Sequence, residues 1–250
     1  VPRGTVRAVR PNELADLVRP LLDRALVAFD VDGVLAPIVE HADDAVLSPG
    51  VDGLLRQLAE RTEVVILSGR SLASLETMFG FPDTLHVIGS HGLEARGDEP
   101  LTLEPAEADC YRQLERLARA AVRAAGAGAW LEHKPTSLVV HTRSADPTAA
   151  EPACRTLVRR AAEVTGARVR AGHEVIELLA RPSSKGEALL ALAHERGRAP
   201  IVFLGDDLTD EEAFAMMGDN DIAVRVGPGD TVADLRLDGP EQVVELLALI

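Results

Sequence analysis

The alternation of short apolar runs with helical repeats is the feature that most constrains the fold of this chain. Each short apolar run is typical of a strand buried on both faces of a sheet. Because stretches of helical spacing separate the runs, we expect a parallel sheet in an α/β fold. The runs predicted to form it are 25–29, 63–67, 86–89, 201–204 and 222–226.

Helices are predicted between these strands from capping residues and apolar spacing. They are a helix around 50–60 capped by Ser48 with Pro49 at its first position, one marked by Leu72, Leu75 and Met78, one running from a Ser184–Glu187 capping box through Leu192, one capped by Thr209 and Glu212, and a closing helix over 241–249.

The pattern changes in the middle of the chain, between Pro105 and Pro182. There the order is helix, two strands, helix and two strands, which predicts an αββαββ unit inserted into the α/β core. The predicted elements are a helix over 106–124, strands at 130–132 and 137–141, a helix near 149–163, and strands at 168–170 and 175–179 joined by a turn at 171–174. The expected division is a core of 1–105 and 182–250 with a cap domain of 106–181.

Composition narrows the class of protein. The chain has 250 residues, 46% of them hydrophobic, enough for one large or two small cores. No apolar run reaches the roughly 20 residues of a membrane-spanning helix, and no hydrophobic leader is seen, so a cytoplasmic location is expected. The net charge of −14 argues against a nucleic-acid or anionic-membrane partner.

Cys110 and Cys154 are expected to be reduced thiols. Residues 1–4 resemble a protease-site scar.

Acidic residues follow two of the predicted strands directly. Asp30 and Asp32 are two apart on extended backbone, so both can face one ligand while Gly33 turns the chain. A pair of close carboxylates favours a cation or a shared proton. An EF-hand is excluded because its sixth position, which should be Gly, is Leu35. The acidic segment 206–210 ends another strand at the same expected edge, and three oxygen donors there would suit Mg²⁺.

Lys185 is one of only two lysines, the other being Lys134, beside 24 arginines. It stands at a predicted helix start, where the helix dipole disfavours a cation, so a phosphate oxygen or reactive carboxylate is the better explanation for it. The segment Ser68–Arg70 adds a hydroxyl and backbone amides that could hold a phosphoryl oxygen. Together with the carboxylate pair, these groups point to phosphoryl transfer through an aspartyl-phosphate.

In chain order, the segment 30–35, Ser68, Lys185 and the segment 205–207 resemble the four motifs of the haloacid dehalogenase superfamily. Within that superfamily the chain resembles trehalose-6-phosphate phosphatases. The segments that carry this likeness are 30–38, 68–70, 90–94 and 205–214 in the core, and 132–137, His141 with Arg143, and 175–177 in the insert.

The resemblance implies a Rossmann-like core with an α/β cap and a role for each matching residue. Asp30 would be the nucleophile and Asp32 the general acid and base. Ser68 and Lys185 would hold the phosphoryl group, and Mg²⁺ would be bound by Asp30, the Asp32 carbonyl and Asp206. The remaining implied roles are substrate binding by Arg70, His91, Gly92, Glu132, Lys134 and Glu177, and support of the metal's waters and the loop by Asp207 and Asp210.

Three departures from the family pattern, Val31, Val34 and Thr142, remove no charge or nucleophile. His141 is left out of the catalytic set, because a histidine within an alternating strand is more often structural. Three alternatives stay open: another sugar phosphate such as sucrose 6-phosphate or a mannosyl phosphate, a phosphomutase, and a non-catalytic sugar-phosphate-binding subunit. A trehalose-phosphate synthase chain as partner is also left open, and a monomer is favoured.

Overall fold

The structure, a computed structural model, describes residues 6–172, 174–197 and 199–250. The segment 1–4 and His173 of the predicted 171–174 turn therefore lie outside the described residues. The chain divides into two compact units: one comprises the chain up to Glu99 together with Ser184–Ile250, and the other is Pro100–Ser183. We call them the core unit and the inserted unit. Their boundaries at 99/100 and 183/184 differ from the expected 105/106 and 181/182.

The core unit is built on a sheet that is parallel except at one edge. Its strands lie in the order β1-β12-β11-β10-β2-β3-β4-β5, and only the last pair, β4 with β5, is antiparallel. These strands are β1 (Arg7–Ala8), β2 (Leu26–Phe29), β3 (Glu63–Leu67), β4 (His86–Gly89), β5 (Glu94–Ala95), β10 (Ile201–Gly205), β11 (Ile222–Val226) and β12 (Leu235–Leu237).

Helices cover both faces of this sheet, which explains the continuous apolar runs of its strands. Along β2, Val27 and Phe29 pack on one side, whereas Leu26 and Ala28 pack on the other. The helices are α1 (Pro11–Val18), α2 (Val51–Ala59), α3 (Leu72–Phe79) and α8 (Pro240–Leu249) on the first side, and α6 (Lys185–Glu195) and α7 (Leu208–Met216) on the second.

The inserted unit is the predicted αββαββ module. Its helices α4 (Pro105–Ala125) and α5 (Pro147–Ala161) pack on one face of an antiparallel sheet ordered β6-β7-β9-β8. Its strands are β6 (Trp130–His133), β7 (Ser137–His141), β8 (Arg168–Gly172) and β9 (Val175–Leu179). Leu138 and Leu178 pack against the helices, whereas Ser137 and Glu177, the residues before them, lie on the other face of the sheet, opposite to α4 and α5.

Two predicted helix starts are wrong. The second helix begins after Gly50, whose φ of 85° is left-handed, so Ser48 is not its cap. Helix α7 begins after Asp207, not Thr209, because the Asp207 carboxylate accepts the backbone N–H of Asp210 at 2.9 Å. At α6 the Ser184 cap is correct, since its hydroxyl accepts the N–H of Glu187, but the helix continues beyond Leu192.

No helix among the described residues is both long enough and apolar enough to cross a membrane.

Helix α1 offers a matched pair that tests the packing of the core unit. Leu14 is fully buried in the apolar cluster, whereas Leu17, three residues on, is 42% exposed. Leu14→Ala should lower the free energy of unfolding by roughly 2–5 kcal/mol, and Leu17→Ala by less than about 1 kcal/mol, because only the first leaves a cavity. Urea unfolding measures both, and equal losses would contradict the placement of α1.

Candidate active site

Three adjacent strands bring the predicted site residues together. β10, β2 and β3 are neighbours in the sheet, with Leu204 opposite Phe29 and Phe29 opposite Ile66. Asp30, Ser68 and Asp206 each follow the carboxyl end of one of these strands. Because parallel strands end at one edge, this is the side of the sheet on which ligands of open α/β folds bind.

Lys185 lies at the centre of the acidic residues at this edge. Its side chain is fully buried, and its Nζ lies 2.9 Å from Asp30 Oδ2 and 2.8 Å from Asp210 Oδ1. Asp207 Oδ1 is farther away, at 4.0 Å. A buried ammonium is tolerated only when it is paired in this way, so Lys185 is committed to the carboxylates. The helix dipole disfavours a cation at the start of α6, and the ion pairs with Asp30 and Asp210 explain why Lys185 is nevertheless found there.

Asp210 ties Lys185 to the loop that follows β10. Its second oxygen, Oδ2, accepts the backbone N–H groups of Asp206 at 2.8 Å and Asp207 at 3.0 Å. Gly205 makes this approach feasible, because a Cβ there would lie 2.3 Å from the Asp210 carboxyl carbon. Both oxygens of Asp210 therefore accept hydrogen bonds, and these bonds fix the backbone of the loop after β10.

Asp206 packs against the backbone of Gly33. A Cβ at Gly33 would lie 2.1 Å from Asp206 Oδ2, and the φ of 77° at Gly33 is itself left-handed. Glycine is thus required at this turn for two independent reasons. The turn brings the segment after β2 into direct contact with the segment after β10.

The acidic groups hold more negative charge than Lys185 neutralises. Burial raises the pKa of Asp30 well above its ordinary value, and the neighbouring aspartates reinforce this against the opposing effect of Lys185. Burial, with Asp210 and Asp207, likewise raises the pKa of Asp206 to about 7. The pKa of Lys185 itself lies above its ordinary value, since Asp210 and Asp30 outweigh the lowering caused by burial.

Asp207 differs from the other carboxyl groups. Burial acts to raise its pKa, but Lys185 and the hydrogen bonds from Asp210 and Thr209 outweigh this effect, so the pKa of Asp207 lies below its ordinary value. It is the ionised N-cap of α7, and it faces the positive end of the helix dipole.

A divalent cation fits this arrangement. Carboxylate oxygens of Asp30, Asp206 and Asp210 lie within 4.8 Å of one another. Four aspartates, Asp30, Asp206, Asp207 and Asp210, share one ammonium, and an added cation would favour their ionised forms. Asp210 accepts from Lys185 Nζ and from two backbone N–H groups, whereas Asp30 accepts from Lys185 Nζ and one backbone N–H, so Asp30 and Asp206 are the better candidate ligands.

Asp32 is held by Arg70 in a two-pronged ion pair. Arg70 Nε donates to Asp32 Oδ2 and Arg70 Nη2 to Asp32 Oδ1, both at 2.7 Å. Arg70 also donates to the carbonyl of Ala42 at 2.8 Å and lies over the Phe79 ring. This geometry fixes the plane of the Asp32 carboxylate. The sequence predicted that Arg70 binds the substrate and did not predict its ion pair with Asp32.

The segment after β4 fastens the segment that carries Ser68. The backbone N–H of His91 donates to the Ser68 carbonyl at 2.9 Å, and that of Ser90 donates to the Arg70 carbonyl at 2.7 Å. The buried His91 ring packs on Gly69, where a Cβ would lie 2.4 Å from His91 Cε1. Ser90 and His91 both have positive φ, a strained conformation that persists only where surrounding contacts enforce it.

Gly92 lies against the start of α6. Its φ is 106°, and a Cβ there would lie 2.9 Å from the Ser184 carbonyl oxygen. The segment 90–92 therefore links the Ser68 loop to the helix whose first residue is Lys185.

The inserted unit contains its own charged cluster. Lys134 Nζ lies 3.8 Å from Glu177 Oε1, and Glu177 also accepts the Ser137 hydroxyl at 2.8 Å. Glu132 Oε2 lies 2.9 Å from His141 Nε2. The predicted Lys134 and Glu177 are thus direct neighbours, whereas Glu132 pairs with a histidine that was left out of the predicted set.

Sequence reasoning also missed Arg170, whose Nη1 lies 3.8 Å from Glu177 Oε2. The pairing register of β8 and β9 could have predicted this contact, because Arg170 is directly opposite Glu177.

Comparison with known proteins identifies the family. Residues 28–238 match the family model described as trehalose-phosphatase. The chain belongs to this family. A trehalose-phosphate phosphatase of Mycobacterium marinum is 36% identical to it over 254 residues, covering 94% of this chain and 64% of that protein. The chain thus spans less than two thirds of the length of that trehalose-phosphatase relative.

Solved structures share the fold of this chain. The C-terminal domain of a trehalose-6-phosphate phosphatase of C. albicans has a TM-score of 0.81 at 26% identity, covering 98% of this chain and 97% of that one. A haloacid dehalogenase-like hydrolase of B. subtilis has a TM-score of 0.61 at 18% identity, covering 90% and 98%. The predicted Rossmann-like haloacid dehalogenase core with an α/β insert is therefore confirmed as the fold of this trehalose-phosphatase family member.

Two glycines with similar backbone conformations test the contact between Gly33 and Asp206. Gly33 and Gly50 have φ of 77° and 85°, but a Cβ at Gly50 would meet no atom within 4 Å. Gly50→Ala should cost about 1–2 kcal/mol of unfolding free energy from backbone strain alone. Gly33→Ala should cost roughly 1–3 kcal/mol more, because the methyl group displaces Asp206. Urea unfolding compares them, and equal losses would rule out the close packing.

In metal-free buffer, Asp206 should make the free energy of unfolding depend on pH. Its pKa is about 7 in the folded protein against an ordinary 3.8, so the folded state binds the proton more tightly. This contribution to stability is full below about pH 4 and is lost as the pH rises to about 7, at up to roughly 1.4 kcal/mol per pH unit. Across that range the free energy of unfolding of Asp206→Asn should change less with pH than that of the wild type. The exposed control Asp83→Asn should keep the pH dependence of the wild type. Parallel curves for wild type and Asp206→Asn would contradict the assignment.

Proposed function

We propose that this chain is a Mg²⁺-dependent phosphatase that hydrolyses trehalose 6-phosphate to trehalose and phosphate through an aspartyl-phosphate on Asp30. The observation that carries the proposal is the buried Asp30 carboxylate, paired with Lys185 beside Asp206 at the carboxyl edge of the sheet. Membership of the trehalose-phosphatase family supports the choice of substrate.

Asp30 is the proposed nucleophile. Its Oδ1 accepts the backbone N–H of Val31 at 2.7 Å and its Oδ2 lies 2.9 Å from Lys185 Nζ, so the carboxylate has one defined orientation. One Asp30 oxygen attacks phosphorus while the bond from phosphorus to the sugar oxygen breaks, which leaves the phosphoryl group on Asp30. Lys185 offsets the negative charge that two carboxylates and a phosphoryl group bring together.

Asp32 is the proposed general acid and base. It donates a proton to the departing sugar oxygen, and in the second step it accepts a proton from the water that attacks phosphorus and releases phosphate from Asp30. Arg70 is a positioning residue in this scheme, because its fork on Asp32 holds the carboxylate in one plane. Ser68, buried at the end of β3, is proposed to donate its hydroxyl to a phosphoryl oxygen.

Mg²⁺ is proposed to be held by Asp30, Asp206 and the Asp32 carbonyl. When bound, it would neutralise the phosphoryl oxygens and keep Asp30 ionised. Asp207 and Asp210 support this site through the loop: Asp210 fixes the backbone of residues 206 and 207, and Asp207 caps α7.

Recognition of the sugar is proposed to reside in the inserted unit, on Glu132, Lys134 and Glu177. Sugar hydroxyls both donate and accept hydrogen bonds, and a cluster of two carboxylates and an ammonium offers partners for both roles. His91 and Gly92 then act by shaping the Ser68 loop. A cytoplasmic location, a monomeric state and association with a synthase chain stay predictions.

Phosphate release from a panel of sugar phosphates tests the proposal. Trehalose 6-phosphate, sucrose 6-phosphate, glucose 6-phosphate and a mannosyl phosphate are compared with and without Mg²⁺. We expect Mg²⁺-dependent turnover that is fastest with trehalose 6-phosphate. Asp30→Asn should lower that rate by at least roughly 10³-fold, because the nucleophile is lost, whereas the surface control Asp52→Asn should retain it.

Each other result has a distinct meaning. Preference for another sugar would keep the chemistry but overturn the assignment of Glu132, Lys134 and Glu177. Formation of a sugar phosphate isomer without release of phosphate would identify a mutase. Turnover by Asp30→Asn at the wild-type rate would refute the nucleophile, and binding without turnover by the wild type would indicate a non-catalytic subunit.

A further inference from the structure

The helix-free face of the sheet in the inserted unit carries an aromatic residue beside the charged cluster. In the β6–β7 pair Trp130 is directly opposite His141, and Glu132 is opposite Val139, which is in turn opposite Glu177. Residues directly opposite one another share a face, and so do residues two apart along a strand. Trp130, His141, Glu132 and Glu177 therefore all lie on the face opposite to α4 and α5.

The Trp130 indole is held flat by the His141 ring. The two rings are parallel within 5°, with their centroids 3.9 Å apart. Trp130 is nevertheless 53% exposed. Among the described residues, it is the one aromatic residue in the set of large exposed apolar side chains. An exposed indole costs hydrophobic free energy, so a large flat ring fixed in this position needs an explanation.

His141 connects the indole to Glu132. A carboxylate accepts but cannot donate, so the 2.9 Å contact means that His141 Nε2 carries the proton and donates it to Glu132 Oε2. A carboxylate has about four lone-pair sites, so this bond does not by itself exhaust the acceptor capacity of Glu132. The imidazole thus orients an aromatic plane and a carboxylate together.

A flat apolar ring beside hydrogen-bonding groups matches the chemistry of a pyranose. One side of such a sugar ring presents C–H groups, and its rim carries hydroxyls. The first suits an aromatic face, and the second suits Glu132 and the neighbouring Lys134 and Glu177. Because stacking and the carboxylate bond hold the side chains in advance, little ordering cost would be added on binding.

We propose that Trp130 is a stacking platform for a pyranose ring of the substrate, and that His141 is the positioning residue that holds the indole and Glu132 in register. The proposal rests on the proposed function, since it names a further sugar contact of the same enzyme. It adds a specificity-determining residue outside the charged cluster.

Fluorescence tests the platform directly, because Trp130 is the only tryptophan of the chain. The full chain carrying Asp30→Asn, which prevents turnover, is titrated in Mg²⁺ with trehalose 6-phosphate, trehalose and inorganic phosphate. We expect a saturable change in indole emission with both sugars and none with phosphate. Calorimetric binding of trehalose 6-phosphate without any change in emission would overturn the proposal.

Variants in the otherwise wild-type chain give the second readout. Trp130→Ala should raise KM for trehalose 6-phosphate by roughly tenfold with a smaller effect on kcat, whereas Trp130→Phe, which keeps a flat ring, should recover most of the loss. Leu249→Ala, which removes a comparably exposed apolar side chain from α8, is the control and should match wild type. His141→Ala should act through Glu132. The rise in KM of the double variant with Glu132→Gln should therefore be less than the product of the rises in the two single variants.

Failure of this inference is distinguishable from failure of the proposed function. Normal turnover of trehalose 6-phosphate with an unchanged KM in Trp130→Ala overturns the platform alone. If the wild type hydrolyses no sugar phosphate, the proposed function fails, and the emission response to trehalose decides about the platform: a saturable response supports it and an absent one overturns it.

Discussion

The buried ammonium of Lys185 is the constraint on which the site depends. An unpaired cation in the interior of a protein costs several kcal/mol, so Lys185 holds Asp30 and Asp210 at hydrogen-bond distance. Through Asp210 it also fixes the backbone of Asp206 and Asp207. One interaction therefore joins the end of β2, the end of β10 and the start of α6, and the proposed divalent cation would offset the remaining excess of negative charge.

The glycines explain why the acidic groups can approach so closely. Gly33 and Gly205 each leave room for an aspartate carboxyl group that a methyl group would displace. On the neighbouring strand, Gly69 leaves room for the His91 ring, and the strained Ser90–His91 turn secures the Ser68 segment from the other side. The proposed catalytic arrangement is thus organised by backbone contacts among adjacent loops of one sheet.

Local sequence signals were sufficient to predict the fold and to place Asp30, Ser68, Lys185 and Asp206 at one edge of the sheet. Each of these residues directly follows an apolar strand run or begins a helix, and the parallel topology then brings them to one edge. Helix starts were less predictable, because several capping residues compete within a few positions: Asp207 caps α7 although Thr209 had the expected spacing. The pairing of Arg70 with Asp32 joins residues far apart in the chain, and no local pattern encodes it. The Trp130–His141 stack required the register of two antiparallel strands.

The identity of the residue that carries the phosphoryl group tests the account most directly. The chain is mixed with trehalose 6-phosphate and Mg²⁺, quenched in acid within the first turnover, digested and mapped by mass spectrometry, with Asp30→Asn as the control. The account predicts one phosphorylated peptide, modified at Asp30, that is absent from Asp30→Asn. Rapid turnover by the wild type with no phosphoryl group on Asp30, or with the group on another residue, would contradict it.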